Sequence, residues 1–319
     1  MEHNEKNDYT YSGRIGQTFV YLLKIFRIFM FRNDWKVLPM AAVIAGMVSM
    51  VVGKNLFKTM DGTLQGAFAL TCVCIWNGFF NSIQVICRER TVIKREHRAG
   101  LHMTSYVFAH LLFQMILSAA QTGITMFTCK LSGMAFPDRG LISDTPNGFK
   151  VEFFITLFLI TYAADVLALM ISAIVHNTTT AMTVMPFMLI VQLVFAGYFT
   201  VPKFMQDVTN LMLSKWGTQG ICALARYNDL PAVLIWNRLK AAKDVDLGGV
   251  MSLADVMGLI EKYGYRDRVV HELGKATQKP EYISTADNLL ACWGHLVVFA
   301  LVFAFITVVF MEFIDRDRR

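Results

Sequence analysis

The stretch CRERTVIKREHRAGLHMTSY, residues 87–106, places five basic and two acidic side chains among the eleven positions 88–98, and apolar runs flank it on both sides. A peptide so charged between two such runs reads as a solvent-side connection between lipid-spanning segments. The whole composition agrees with that setting. Of 319 residues, 55% are hydrophobic and 17% charged, and the mean hydropathy is +0.45, outside the range of ordinary soluble domains.

Working outward from the charged stretch, apolar runs of about 20 residues, enough to cross roughly 30 Å of hydrocarbon as a helix, fall at 35–52, 66–86, 104–129, 151–175, 178–201 and 288–311. Only His176 and Asn177 part the fourth run from the fifth. One continuous helix of about 50 residues would overshoot a bilayer, so two spans joined by a tight turn are expected. The prediction is an all-α integral membrane protein with six spans. No short apolar core with a small-residue cleavage site precedes the first run, so no cleaved leader is expected.

Lys and Arg in short loops resist translocation and so fix orientation. With the N-terminus inside, that side holds Lys6, Arg14, Lys24, Arg27, Arg32, Lys36, the five cations of the opening stretch, and Arg316, Arg318 and Arg319. The short outer loops hold only Lys54, Lys58, Lys130, Arg139 and Lys150. Both termini and the charged stretch are therefore expected in the cytoplasm. The sequence pI is about 9.0, but the excess of positive charge flanks the membrane, where topology and anionic lipid account for it. Membrane lipid, not nucleic acid, is the expected partner of these cations.

Four regions follow. Residues 1–34 form a cytoplasmic N-terminus in which Arg14, Gln17, Tyr21, Lys24 and Arg27 recur at three- and four-residue steps, the pattern of an interfacial helix. Residues 35–201 hold the first five spans, with a charged helix at 88–103. Residues 202–287 read as a mostly helical outer domain, in which Ser252 and Asp255 make a capping-box-like pair and Pro231 and Pro280 punctuate. The last span and a basic tail fill 288–319.

Known chemistry is sparse. Neither Gly53-Lys54 nor Gly274-Lys275 carries a P-loop, and no Gly-x-Ser-x-Gly elbow or His-Glu-x-x-His helix is present. No catalytic residue and no metal site is expected. Cys222 is the one cysteine placed outside the spans, open to a symmetric bridge between copies or simply buried. Asp165 is the one acid well inside a span. It reads as an interhelical hydrogen-bonding group beside Tyr162, Ala163 and Ala164, or as a substrate or proton site. His110, Gln114, Gln121, Gln192 and His295 are expected to hydrogen-bond between helices.

The order of the charged residues adds a resemblance. Glu-Arg, then REHRAG, then TSYVFAHLL leading into a span resembles the coupling-helix region of the type-2 membrane domain of ATP-binding-cassette exporters, particularly the G subfamily. In the same order, WNGFFNS resembles that family's Asn-x-x-Phe cavity segment, FAGYFTVP its Phe-Ser-Gly-Leu-Leu segment, and SKWGTQGICALARYND its outer re-entrant region. The N-terminal helix resembles its connecting helix. By this resemblance Glu89, Arg90, Lys94, Arg95, Glu96 and Arg98 would dock a separate ATPase subunit, on which ATP and Mg²⁺ would bind. No cofactor would bind this chain. Asn77, Phe80, Leu189 and Ile190 would line a cavity between two copies of the permease, and Tyr198 and Phe199 would stand where the family's Leu-Leu plug forms the outer gate. Animal members carry outer disulfides that a single Cys222 cannot reproduce, which favours a bacterial-type relative in the cell membrane. The expected function is export of an amphipathic drug, lipid or modified peptide. Export of a lipid-linked polysaccharide, a sensor or scaffold docking a non-ATPase partner through the basic stretch, and a membrane enzyme using Asp165 and His110 are the alternatives.

Overall fold

The computed structural model describes residues 13–32, 34–199, 202–242 and 252–313. Lys6 and the basic tail lie outside the described residues. Helices and 3₁₀ turns carry the described chain, with no strand among the described residues. In order they are α1 (Arg14–Phe31), α2 (Val37–Val52), α3 (Met60–Ser82), α4 (Val85–Arg98), α5 (Met103–Leu131), α6 (Gly148–Ile174), α7 (Thr178–Val194), the one-turn α8 (Gln206–Thr209), α9 (Leu213–Leu224), α10 (Val233–Ala241), α11 (Leu253–Lys262), α12 (Arg266–Lys275) and α13 (Ala286–Glu312).

Among the described residues, five segments are long and apolar enough to cross a membrane: Asp34–Val52, Met60–Arg98 through its α3 part, Met103–Leu131, Gly148–Ile174 and Ala286–Glu312. The fifth predicted run is also helical, but α7 stops at Val194 after 17 residues, about 26 Å at 1.5 Å per residue. Pro186 lies inside it and removes one backbone donor. The run 151–201 is not one helix. Val175 and Asn177 are extended and separate α6 from α7.

Helix starts follow local chemistry. Thr59 caps α3 by accepting from the Gly62 N–H at 3.2 Å, and Thr285 caps α13 through the Asn288 N–H at 3.3 Å. Ser252 and Asp255 form a reciprocal capping box on α11.

The packed centre is α3 against α6. A Cβ on Gly78 would sit 2.6 Å from the Thr161 carbonyl oxygen and 2.7 Å from the Asp165 nitrogen, so only glycine permits this approach. Around that pair stand α5, α9 and α13. The indole N–H of Trp293 on α13 donates to Thr156 of α6 at 2.9 Å. Most of α9 is buried, because its small residues let it approach the bundle: Gly217 meets Ile160 and Thr71. The segment thus packs directly on the helix bundle. Cys222 is fully buried on it, out of reach of a second copy. By contrast α2 and α13 present exposed apolar faces, including Met47, Val51, Leu301 and Phe305, as lipid-facing helices do.

Candidate functional site

The charged stretch forms α4, which starts at Val85, three residues before the predicted position 88, and ends at Arg98, before the predicted 103. A glycine in left-handed conformation, Gly100, closes it. Its apolar side, Ile86 and Ile93, packs against Leu101, Met103 and Tyr106. Its outward side is a stripe of Arg88, Thr91, Arg95 and Arg98, spaced three and four apart.

The ends of α4 and α6 satisfy each other. Helix termini leave backbone groups without intrahelical partners. No side chain of its own caps α4, and the Ser172 hydroxyl of α6 instead accepts the N–H groups of Ile86 and Cys87 at 3.1 and 3.2 Å. In return the Arg90 guanidinium donates to the carbonyls of Ala173 and Val175, both at 3.1 Å, at the C-terminal end of α6. Arg90 therefore faces the bundle and not outward.

Helix α1 braces the other side. Glu96 accepts from the Tyr21 hydroxyl and from the Lys24 ammonium at 2.9 Å. Gln17 bridges the Gly100 carbonyl, at 3.2 Å, and the His102 N–H, at 3.0 Å. A third tie is the Arg88–Asp34 pair at 3.4 Å, which reaches the turn before α2. Lys94 and Glu89 are half-buried, and Arg95 is exposed. The result is a cationic outer stripe on a helix fixed to α6, to α1 and to the turn before α2.

The four residues expected to line a cavity do not share one surface in a single copy. Asn77 and Leu189 are packed inside the protomer. Phe80 is half-buried, tilted against Trp76 with ring centroids 5.5 Å apart. Ile190 is 57% exposed and points away from the bundle. At the end of α7 the chain turns at Gly197 (φ +81°), and Tyr198 stacks on Phe68 of α3 at 4.9 Å. Phe199 meets both rings edge-on.

Asp165 is fully buried and joins three helices. It accepts from Ser82 at 3.0 Å and Asn81 at 3.2 Å on α3, and from Ser118 on α5. Asn81 and Gln121 add a reciprocal amide pair at 2.7 and 3.0 Å. Gln192 accepts from the Ser214 N–H at 3.2 Å. His295 bonds within its own helix, to the Ala291 carbonyl, and stacks on Trp216. His110 departs from the interhelical expectation, since neither ring nitrogen has a protein hydrogen-bond partner. The reason is position: its ring lines a cavity and packs edge-on against Tyr106, with centroids 4.6 Å apart.

Reading the sequence missed Ser172, Gly78 and Glu152. Buried Glu152 accepts the N–H groups of Leu141, Ile142 and Ser143 at 2.7 to 3.0 Å, folding the α5–α6 loop over the start of α6. A carboxylate at the edge of an apolar run was the available signal.

Spanning helices packed on an α3–α6 centre, with a charged surface helix clamped to them, define a multi-pass helical membrane protein. Residues 17–224 match the family described as ABC-2 type transporter, and the chain belongs to that family. It is a transporter membrane domain of the permease type. Among curated proteins it is similar to ABC transporter G family member 7 of Arabidopsis thaliana, 25% identical over 189 residues. That match covers 57% of this chain and 25% of the relative's length.

Proposed function

We propose that the chain is the permease component of an ATP-driven exporter working as a dimer in the cell membrane. In this reading α7 is a sixth span, both termini and α4 lie in the cytoplasm, and most of 202–287 lies outside. An amphipathic substrate enters from the inner side between two copies and leaves past Tyr198 and Phe199, whose stacking on Phe68 closes the outer end. ATP and Mg²⁺ bind the ATPase partner.

The observation that carries the reading is the clamping of α4. A helix that docks an ATPase must transmit motion, and one held by Ser172 and Arg90 to α6, by Glu96 to α1 and by Arg88 to the start of α2 moves as a unit with them. The outward stripe of Arg88, Arg95 and Arg98 supplies charge for orientation on an acidic groove. Arg90 and Glu96 then serve docking indirectly, by holding the helix in place.

Gentle purification from native membranes followed by mass spectrometry tests it. An ATPase with a P-loop is expected to accompany the wild-type chain and to be lost from the Arg95→Glu/Arg98→Glu double variant, which stays folded. Recovery of the intact chain without any ATPase, or unchanged association in the double variant, sinks the reading.

A further inference from the structure

Between α1, α2, α3, α4, α5 and α7 lies a cavity of about 320 Å³, at the lower end of the roughly 300–1,000 Å³ usual for small-molecule sites. All of its lining residues come from one copy. Most of its wall is apolar: Ile28 and Phe29 from α1, Val37 from α2, Phe113 and Leu117 from α5, Met182 from α7. Into this wall are set His110 and Gln114, 3% and 2% exposed, one turn apart on α5. Neither ring nitrogen of His110 and not the Gln114 carbonyl oxygen has a hydrogen-bond partner in the protein. Phe80, Asn81 and Gln84 also line it, as do Asp34, Arg88 and Glu89, and Asp34 and Arg88 are paired with each other at 3.4 Å.

Buried polar groups are nearly always partnered, because stranding one costs about 1–3 kcal/mol. Three such atoms along one apolar wall are the pattern of a ligand site, where a few polar groups fix orientation and the rest supplies contact. We propose that this cavity binds a neutral amphipathic molecule through a hydroxyl or primary amide near one end. The choice of group follows from the donors. A neutral imidazole offers one N–H and one lone pair, and the Gln114 carbonyl offers only lone pairs. A hydroxyl or amide both donates and accepts, so it satisfies the set. A carboxylate cannot donate to the Gln114 oxygen, and an ammonium cannot accept from the imidazole N–H. The apolar body of the ligand lies along Phe29, Phe113 and Leu117.

The site needs no ATPase and no second copy, so it is tested apart from the transport reading. The purified chain in phosphatidylcholine nanodiscs is irradiated with a monoacylglycerol carrying a mid-chain diazirine, and labelled peptides are mapped by mass spectrometry. Saturable labelling of α1 and the first half of α5, displaced by unlabelled monoacylglycerol, is expected. His110→Phe removes the polar contacts and should weaken saturation about fivefold or more, the effect of one lost hydrogen bond of ordinary strength. Leu117→Trp fills the cavity without touching those contacts and should weaken it too, which keeps the test sharp if the histidine variant fails to fold. Labelling that never saturates or spreads over lipid-facing α13 overturns the site. Equal labelling of both folded variants and the wild type does the same. Stronger saturable labelling by a diazirine fatty acid than by the monoacylglycerol overturns the ligand class.

Discussion

At the scale of single residues, the polar groups inside the bundle divide by whether the protein satisfies them. Asp165 takes hydrogen bonds from Asn81, Ser82 and Ser118, so a side chain costly in lipid becomes a joint between α3, α5 and α6. Asp165→Ala strands three donors and is expected to destabilise the purified chain by on the order of 3 kcal/mol. Asp165→Asn keeps an acceptor, and the two serine hydroxyls can turn to its amide, so the loss should be about 1 kcal/mol. Thermal unfolding in detergent separates the two, and equal losses would remove the joint role. Gly78 tests the same contact from the backbone side. Its added Cβ meets the Thr161 carbonyl and the Asp165 nitrogen, neither of which can rotate away, so Gly78→Ala should cost about 1–3 kcal/mol. Sequence alone showed Asp165 as an acid in an apolar run but not its partners. Asn81 and Ser82 precede it by more than 80 positions, and no local pattern relates them.

At the scale of elements, the reciprocal capping of α4 and α6 predicts coupled fraying. Removing Arg90 leaves the Ala173 and Val175 carbonyls without it, and removing Ser172 leaves two N–H groups at the start of α4. Hydrogen exchange in Arg90→Ala or Ser172→Ala should speed at both junctions, by roughly tenfold for a loss of about 1–2 kcal/mol. Acceleration confined to one helix would show that the caps act separately. On α11, the Ser252 hydroxyl and N–H donate to Asp255 at 2.7 and 3.0 Å and hold its carboxyl below its ordinary value of 3.8. A depressed value in the fold means that the stabilisation is complete above 3.8 and is lost as pH falls through the folded value. Amides at the start of α11 should therefore lose protection in acid, after correction for intrinsic exchange, and Asp255→Asn should flatten that dependence. The capping box was legible because it is written within four residues. The direction of Arg90 was not: helical spacing puts it with Lys94 and Arg98, yet the outward stripe runs through Arg88, Thr91, Arg95 and Arg98, because Ile86 and Ile93 turn toward the bundle. Which face of a charged helix is inward depends on what its apolar residues meet, and that is tertiary information.

At the scale of the whole molecule, hydropathy marked the five helices long and apolar enough to cross a membrane, because burial in lipid acts on a window of about 20 residues and tolerates errors at single positions. Hydropathy does not carry packing: the segment of α9 read as alternating apolar and polar residues of an outer re-entrant region, and Gly217 and Gly220 seat it against the bundle. The proposed dimer raises the same question of what covers each surface, and Ile190 decides it. Neighbouring Leu189 is 6% exposed and turned into the protomer, whereas Ile190 is 57% exposed, so α7 offers one face to its own bundle and the other outward. Lipid is one cover that would suit that apolar face. If a second copy covers it instead, symmetry brings like residues near the axis together, and Ile190→Cys should form a linked dimer with a short bis-maleimide in native membranes. Phe305→Cys on α13, 70% exposed, should be labelled as readily but stay monomeric. The native thiols are buried or half-buried, which keeps the background low. Linkage at both positions would indicate random collision. Linkage at Phe305 alone would place the partner on α13, leaving Ile190 to lipid and removing it from the walls of the transport cavity.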